Sequence, residues 1–295
     1  MIAAPPTKRE DDLKRPLLRW HGGKWRLAPW IIEHLPPHRC YVEPFGGAAS
    51  VLLRKPRTYA EIYNDLDATL VNLFRVLRDS EAASRLIQSL ELTPFARDEF
   101  LEAYQPAGDP VEDARRTIVR SFMGFGSDGT NGVYRTGFRA NSNRSGSTPA
   151  HEWVNYPSAL RDLVDRLAGV VIENRDAVEV MRAHDGPTTL HYVDPPYLPE
   201  TRSSGNRRRG QGYHVYVHDM STEEHLPLLA ALAGLEGMVV LSGYPSNLYD
   251  EQLIGWRRIE RAAFADGARE RTEVLWINPA AQAAMAQPDL FEVAA

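Results

Sequence analysis

The chain has 295 residues, 34 Lys and Arg against 39 Asp and Glu for a formal net charge of −5, and 43% hydrophobic residues. At roughly 150 residues per domain this is one large domain or two small ones with enough apolar content for a real core. Mild acidity argues against a protein that coats nucleic acid through net charge, though not against one that binds phosphates through a local basic surface. A single cysteine, Cys40, excludes a disulfide framework and any multi-cysteine zinc or iron–sulfur site. No apolar run approaches the about 18 residues of a membrane span, and residues 1–15 lack the apolar core of a signal peptide. A cytoplasmic setting follows by default, and 1–15 read as a disordered lead-in.

Short apolar runs rich in Val, Ile and Tyr alternate with helical patterns, which predicts an α/β fold with a largely parallel sheet. Residues 26–35 read as a helix stopped by Pro36 and Pro37. Cys40-Tyr41-Val42 is a buried-strand candidate. It runs into Glu43-Pro44-Phe45-Gly46-Gly47-Ala48-Ala49-Ser50, a glycine-bearing turn expected to open a helix. A second strand, 60–63, ends at Asn64-Asp65, and Leu66, Leu70, Leu73, Phe74 and Leu77 then give a helix one buried face. From 79 to 167 helical patterns follow one another without strands. Thr93-Pro94 and Asp109-Pro110 read as N-caps with first-turn prolines, and Asp109 with Glu112 as a capping box. This predicts a helical subdomain inserted between the halves of a sheet domain, 16–78 and 168–279. Inside it, 124–146 is rich in Gly, Ser and Asn, carries Arg135, Arg139 and Arg144, and reads as a surface loop or hairpin around Asn131-Gly132. Strands are then expected at 170–173, 189–193 and 238–242, with Ser221 and Glu224 boxing the start of a helix. The runs 257–264 and 273–277 flank Asp266-Gly267 as an antiparallel hairpin. The tail, 280–295, begins with a linker, 280–286.

The chemistry concentrates in His191-Tyr192-Val193-Asp194-Pro195-Pro196-Tyr197, an apolar strand delivering an acid, two prolines and an aromatic ring to its C-terminal end. Open α/β sheets bind ligands at that edge. An amino nitrogen on a purine ring is a poor nucleophile because its lone pair is delocalised. Hydrogen-bond acceptors for its hydrogens can aim that lone pair at an electrophile, and Asp194 with the Pro195 carbonyl, stiffened by proline, would serve. Tyr197 could stack on the base, offsetting with roughly 1–3 kcal/mol much of the few kcal/mol that extruding it costs. The bland alternative is a strand-to-loop exit with a solvated Asp. Residues 43–50 place small residues where a helix N-terminus would approach a ligand closely. Asp65 stands where an acid binds ribose hydroxyls in nucleotide sites, or is an ordinary helix cap.

The ordered set Pro16-Leu17-Leu18-Arg19-Trp20-His21-Gly22-Gly23-Lys24, Val42-Glu43-Pro44-Phe45-Gly46-Gly47, Asn64-Asp65 and Asp194-Pro195-Pro196-Tyr197 resembles the Dam-type (alpha-group, D12 class) DNA adenine-N6 methyltransferases over roughly 16–278. The resemblance implies a Rossmann-like methyltransferase sheet with an inserted helical target-recognition domain, S-adenosylmethionine as methyl donor, and a flipped adenine in duplex DNA as acceptor. It places Trp20 and Lys24 in the donor pocket, Glu43, Pro44, Phe45, Gly46 and Gly47 in the turn beneath the methionine moiety, Asp65 on the donor's ribose and Asp194 between donor and adenine. Asp176 falls where the family has a further acid on the cofactor side. The chain departs from the family at Arg19 and His21, where Lys and Ala are usual, and at Ala49, where a second turn glycine is usual. Related enzymes acting on cytosine N4 carry Ser-Pro-Pro-Tyr and those acting on protein glutamine Asn-Pro-Pro-Tyr, so Asp194 favours adenine.

Basic residues supply candidate DNA contacts: Arg115, Arg116 and Arg120 on one helix, Arg135, Arg139 and Arg144 in the adjacent loop, and Arg207, Arg208 and Arg209 directly after the Asp-Pro-Pro-Tyr strand, where a solvated loop is the plain alternative. His214, His218 and His225 lack the companions of a metal site, so no metal is expected. Gln287-Pro288-Asp289-Leu290-Phe291 resembles the peptide by which bacterial DNA-processing enzymes dock on the sliding clamp, with Gln287, Leu290 and Phe291 as contacts. A restriction endonuclease partner is a further expectation. The competing readings are a catalytically silent DNA-binding module and an adenine methyltransferase acting on RNA or single-stranded DNA.

Overall fold

The computed structural model describes residues 13–126, 130, 135–140, 146–201, 218–265 and 269–286. Its elements in chain order are α1 (Ala28–Ile32), β1 (Cys40–Glu43), β2 (Ala60–Asn64), α2 (Ala68–Arg78), α3 (Ser80–Leu92), α4 (Arg97–Glu102), α5 (Pro110–Met123), α6 (Pro149–Val154), α7 (Tyr156–Leu167), β3 (Val170–Glu173), α8 (Ala177–Ala183), β4 (Thr189–Val193), α9 (Thr222–Ala233), β5 (Met238–Gly243), α10 (Asn247–Gln252), β6 (Arg257–Ala265), β7 (Arg269–Ile277) and α11 (Pro279–Ala286). The chain divides into a sheet unit and a helical unit. The first comprises Trp30–Gly47, Thr58–Asn72 and the described residues from Gly169 onward; the second comprises those up to Pro29, Ala48–Arg57 and Leu73–Ala168.

In the sheet unit seven strands lie in the order β3-β2-β1-β4-β5-β7-β6. The pairs from β3 through β5 are parallel, and β7 runs antiparallel to both β5 and β6. This is the Rossmann-like arrangement with an antiparallel C-terminal hairpin that the sequence predicts. Every residue of β4 (TLHYV) and β5 (MVVLSG) is buried, the pattern of parallel strands covered on both faces. On this sheet Met181, Val193, Leu198, Leu228, Val239, Leu241, Val274 and Trp276 belong to one apolar cluster, and Val42, Ile62 and Val180 form a smaller one. The order reverses between β1 and β4, whose Val42 and His191 are in register. At such a switch point the loops leaving the strand ends part and leave a crevice for a ligand.

The helical unit is larger than the insert at 79–167. The segment carrying Leu17, Trp20 and Lys24 packs with it: the Tyr156 hydroxyl donates to the Leu17 carbonyl (2.6 Å), and the Arg19 amide to Ser121 Oγ (2.7 Å). Phe122 and Tyr156, with ring centroids 4.0 Å apart, and Trp153 close its core. The cap at Asp109 forms by accepting the Glu112 amide, but the Glu112 carboxylate turns to arginines, so the reciprocal half of the expected box is missing. Thr93 ends α3 instead of opening a helix, because its own amide bonds back to the Leu90 carbonyl; α4 begins only at Arg97. The helix expected over 26–35 is confined to Ala28–Ile32, its ends relaxing into turns. The expected linker 280–286 is helical: Asn278 Oδ1 accepts the Ala281 amide, and Pro279 occupies the first turn of an alanine-rich run. At α9 the Ser221–Glu224 box forms as expected.

Candidate active site

The loops at the C-terminal ends of β1, β2 and β3 meet in the sheet unit through a side chain aimed at backbone. Asn64, fully buried at the end of β2, donates from Nδ2 to the Pro44 carbonyl (2.9 Å) and the Arg175 carbonyl (3.0 Å) and accepts the Arg175 amide at Oδ1 (2.9 Å). One amide side chain thus ties the loops after β1 and β3. Sequence reasoning noted Asn64 only as the neighbour of Asp65. Its signal was an amide side chain, able to donate and accept, at the end of a buried strand.

The turn after β1 is shaped by the chain's own side chains. A Cβ on Gly46 would lie 2.1 Å from the Tyr63 ring, so the glycine is required by the chain's own aromatic side chain. The Tyr63 hydroxyl in turn donates to the Gly47 carbonyl (2.8 Å). Gly47 (φ 49°) and Ala49 (φ 53°) both adopt left-handed backbone, and turns instead of the expected helix follow. A glycine at position 49 would adopt this conformation freely, whereas Ala49 adopts it at some strain.

Asp65 spans this turn. Its Oδ2 accepts the Gly47 amide and its Oδ1 the Asp67 amide, both at 2.8 Å. Burial raises its pKa from 3.8 to about 6 against the lowering effect of those two bonds. Asp67 caps the start of α2 through Oδ1, and its buried Oδ2 has no hydrogen-bond partner. Glu43 is buried and accepts the Tyr41 hydroxyl at Oε2 (2.8 Å). The carboxylates of Asp65, Glu43 and Asp67 together help burial hold the Tyr63 phenol well above its usual pKa. Pro44 is buried, and partly buried Phe45 packs against the apolar cluster that contains Val193 and Leu241.

Across the switch point, β4 delivers Asp194. Its Oδ1 accepts the Ser242 hydroxyl at 2.7 Å, and Ser242 Oγ lies 3.1 Å from the Tyr192 hydroxyl. Asp194 is half-buried, Pro195 buried and Pro196 half-buried. Tyr197 is buried, donates its hydroxyl to Glu273 Oε2 (2.8 Å) and meets the Tyr244 ring edge-on, with centroids 4.4 Å apart. The aromatic ring of the motif is therefore anchored at both its hydroxyl and its edge. Ser242, Tyr244 and Glu273 were not foreseen from sequence; they come from β5, the residue after it and β7.

The model of the D12 class N6 adenine-specific DNA methyltransferase family matches residues 20–236. The chain belongs to that family. It is 26% identical to the DNA adenine methylase of Escherichia coli (strain K12) over 233 residues, covering 76% of this chain and 77% of that one. Similarity extends to the DNA adenine methylase of Haemophilus influenzae, 29% identical over 203 residues (65% and 68%). The Type II methyltransferase M1.LlaDCHI of Lactococcus lactis subsp. cremoris is 26% identical over 263 residues (80% and 84%).

The remaining residues singled out in this D12-class chain have varied surroundings. In the helical unit, Trp20 accepts the Gly23 amide at its carbonyl (3.1 Å), and buried Lys24 donates to the Gly22 carbonyl (3.0 Å). Asp176, in the sheet unit, is exposed and caps α8, one oxygen accepting the Val178 and Glu179 amides. The arginines of α5 are engaged within the helical unit. Arg115 binds Glu112 and Glu99, and Arg116 binds Glu112 and Glu102. Buried Arg120 donates to the Ala103 carbonyl (2.5 Å) and the Thr130 carbonyl (3.3 Å). All three brace the helices of this unit. Arg139 pairs with Glu152 (2.7 Å), whereas exposed Arg135 lies over the Tyr104 ring (5.5 Å). His225 is buried against Tyr249, its Nδ1 2.8 Å from the hydroxyl. Arg144, Arg207, Arg208, Arg209, His214, Gln287, Leu290 and Phe291, with the turns at Asn131-Gly132 and Asp266-Gly267, lie outside the described residues. Among the described residues no helix is long and apolar enough to cross a membrane, and no cluster of His, Cys, Asp or Glu is placed to hold a metal ion.

Proposed function

We propose that the chain transfers a methyl group from S-adenosylmethionine to the N6 nitrogen of an adenine extruded from duplex DNA, with Asp194 as the residue that receives the amino group. The observation that carries this reading is a carboxylate at the end of β4, beside the sheet's switch point, with one oxygen fixed by Ser242.

The acidic lining of the neighbouring edge suits a cationic, ribose-bearing donor. Asp65 and Asp67 offer acceptors for ribose hydroxyls, Asp67 through a buried oxygen without a protein partner, and Glu43 adds negative charge. Gly46, Gly47, Pro44 and Phe45 shape the turn over this lining, and Trp20 and Lys24 are assigned to the donor pocket by family position. Asp176, spent on its own helix cap, contributes to the loop after β3. When bound, the donor would supply an electrophilic sulfonium methyl for the adenine nitrogen, its sulfur leaving with the C–S electron pair as a thioether and one amino proton passing to solvent water. Asp194 and the Pro195 carbonyl accept the amino hydrogens and hold the lone pair in line, and the carboxylate stabilises positive charge growing on nitrogen. Tyr197, already fixed by Glu273 and Tyr244, offers its ring to the extruded base with little rotamer entropy to lose.

Arg135 is the described candidate for a DNA phosphate or base contact, with Arg139 beside it, and Arg144 and Arg207 to Arg209 are assigned to the same surface from sequence. The tail residues Gln287, Leu290 and Phe291 are proposed to dock on the bacterial sliding clamp in the cytoplasm; equal clamp binding after Leu290→Ala with Phe291→Ala would remove that assignment. A restriction endonuclease partner rests on family membership alone.

Labelled donor incubated with duplex DNA, single-stranded DNA or RNA, followed by nucleoside analysis, tests the activity. N6-methyladenine in the duplex is expected. Label in RNA or single strands alone would move the substrate, and no label with no donor binding would leave a DNA-binding module.

A further inference from the structure

The carboxylate of Asp194 sits at the end of a directed chain of hydroxyls. A carboxylate can only accept, so the single hydroxyl proton of Ser242 is committed to Asp194 Oδ1 at 2.7 Å. The 3.1 Å contact between Ser242 Oγ and the Tyr192 hydroxyl must then have the phenol as donor. Tyr192 is suited to this: burial, with the negative charge of Asp194 next, pushes its pKa well above the usual phenol range, so it keeps its proton. The order Tyr192 O–H to Ser242 O–H to Asp194 therefore has one possible direction.

We infer that Ser242 is a positioning residue for methyl transfer, acting through Asp194, and that Tyr192 in turn orients Ser242. The anchors are stiff. Tyr192 lies in β4 and Ser242 in β5, adjacent parallel strands with Val193 and Leu241 in register, and both residues are at most 1% exposed. A half-buried aspartate side chain would otherwise sample more than one rotamer. A charge-assisted bond from a hydroxyl with no freedom of its own selects one plane for the carboxylate. A carboxylate has about four acceptor sites, so fixing one does not prevent an amino group from being received. Because methyl transfer depends on the line from nitrogen to carbon, the plane of that acceptor matters to the rate more than to binding: displacement by about 1 Å can cost on the order of 100-fold.

This inference rests on the proposed adenine methylation and is tested beside it. Single-turnover methyl transfer is measured at saturating donor and DNA for wild type, Ser242→Ala, Tyr192→Phe and the double variant, with equilibrium donor affinity, DNA affinity and thermal stability recorded for each. Ser242→Ala is expected to slow transfer about 10- to 100-fold while both affinities stay within about twofold. Tyr192→Phe should slow it less, and in the Ser242→Ala background should have no further effect. A Ser242→Ala rate within twofold of wild type, or independent and additive effects of the two changes, overturns the inference. A loss of rate matched by an equal loss of donor or DNA affinity also overturns it, since that marks general damage. If Ser242→Ala does not fold, Ser242→Cys, of similar shape but with a weak donor, carries the same comparison. Wild-type protein that leaves adenine unmarked overturns the proposed function itself, whereas active wild type with an unimpaired serine variant overturns only the role given to Ser242.

Discussion

Replacing Asp65 by Asn removes a carboxyl group that the fold holds at an unfavourable proton affinity. Burial raises its pKa from 3.8 to about 6, although the amides of Gly47 and Asp67 both favour the charged form. Between those pH values the native chain keeps a proton that the unfolded chain has released, so the unfolding free energy falls as pH rises and the loss is complete by about pH 7. At about 1.4 kcal/mol for each tenfold change in proton affinity the loss is about 3 kcal/mol, of which about 2 kcal/mol falls between pH 4.5 and 7.5. Asn at this position cannot titrate. Urea unfolding of both proteins across that range should therefore show the stability difference moving in favour of Asp65→Asn by about 2 kcal/mol as pH rises, whatever constant offset the lost acceptor introduces. A difference that stays constant within about 0.5 kcal/mol, the usual tolerance for independent sites, would refute the assignment of a strained carboxylate at the turn. The same raised affinity predicts that donor binding weakens below about pH 6 in wild type, as the acceptor proposed for the ribose becomes protonated.

Gly46→Ala drives a methyl group into the Tyr63 ring at 2.1 Å and should cost about 1–3 kcal/mol or more in thermal unfolding; an unchanged melting temperature would mean that the turn is looser than it looks. Arg115 and Arg135 should separate by role. Arg115→Ala breaks its pairs with Glu99 and Glu112 and is expected to destabilise the helical unit while leaving the salt slope of DNA binding unchanged. Arg135→Ala should leave stability unchanged and reduce that slope by about 1, and the opposite outcome at either position would reverse the assignments.

The central parallel strands were legible because they are buried on both faces and read as short, mostly apolar runs, as in 238–242 and, around His191, in 189–193. Motifs at strand ends were equally plain, since Glu43 and Asp194 close or follow mostly apolar strands and Asp65 follows β2. Local chemistry was misread where one residue pair serves opposite ends of a helix: Thr93-Pro94 can open a helix or close one, and only the bond from the Thr93 amide to Leu90 decides. Asn278-Pro279 followed by alanines did carry a helix signal, but its composition also suits a linker. Arginine roles turned on partners. Glu112 precedes Arg115 and Arg116 by three and four residues, a spacing that favours helical ion pairs and that a reading for DNA contacts passed over. Ser242 gave no local signal at all, because its importance comes from an Asp194 that is 48 positions away in sequence and adjacent only once β4 and β5 pair.

The central claim is that a fixed carboxylate turns a poor amine into a methyl acceptor. Single-turnover assay of Asp194→Ala, with donor affinity, DNA affinity and thermal stability measured on the same preparation, tests it most directly. The account predicts a folded protein that still binds DNA, with formation of N6-methyladenine abolished. N6-methyladenine appearing at the wild-type rate in that variant would contradict it.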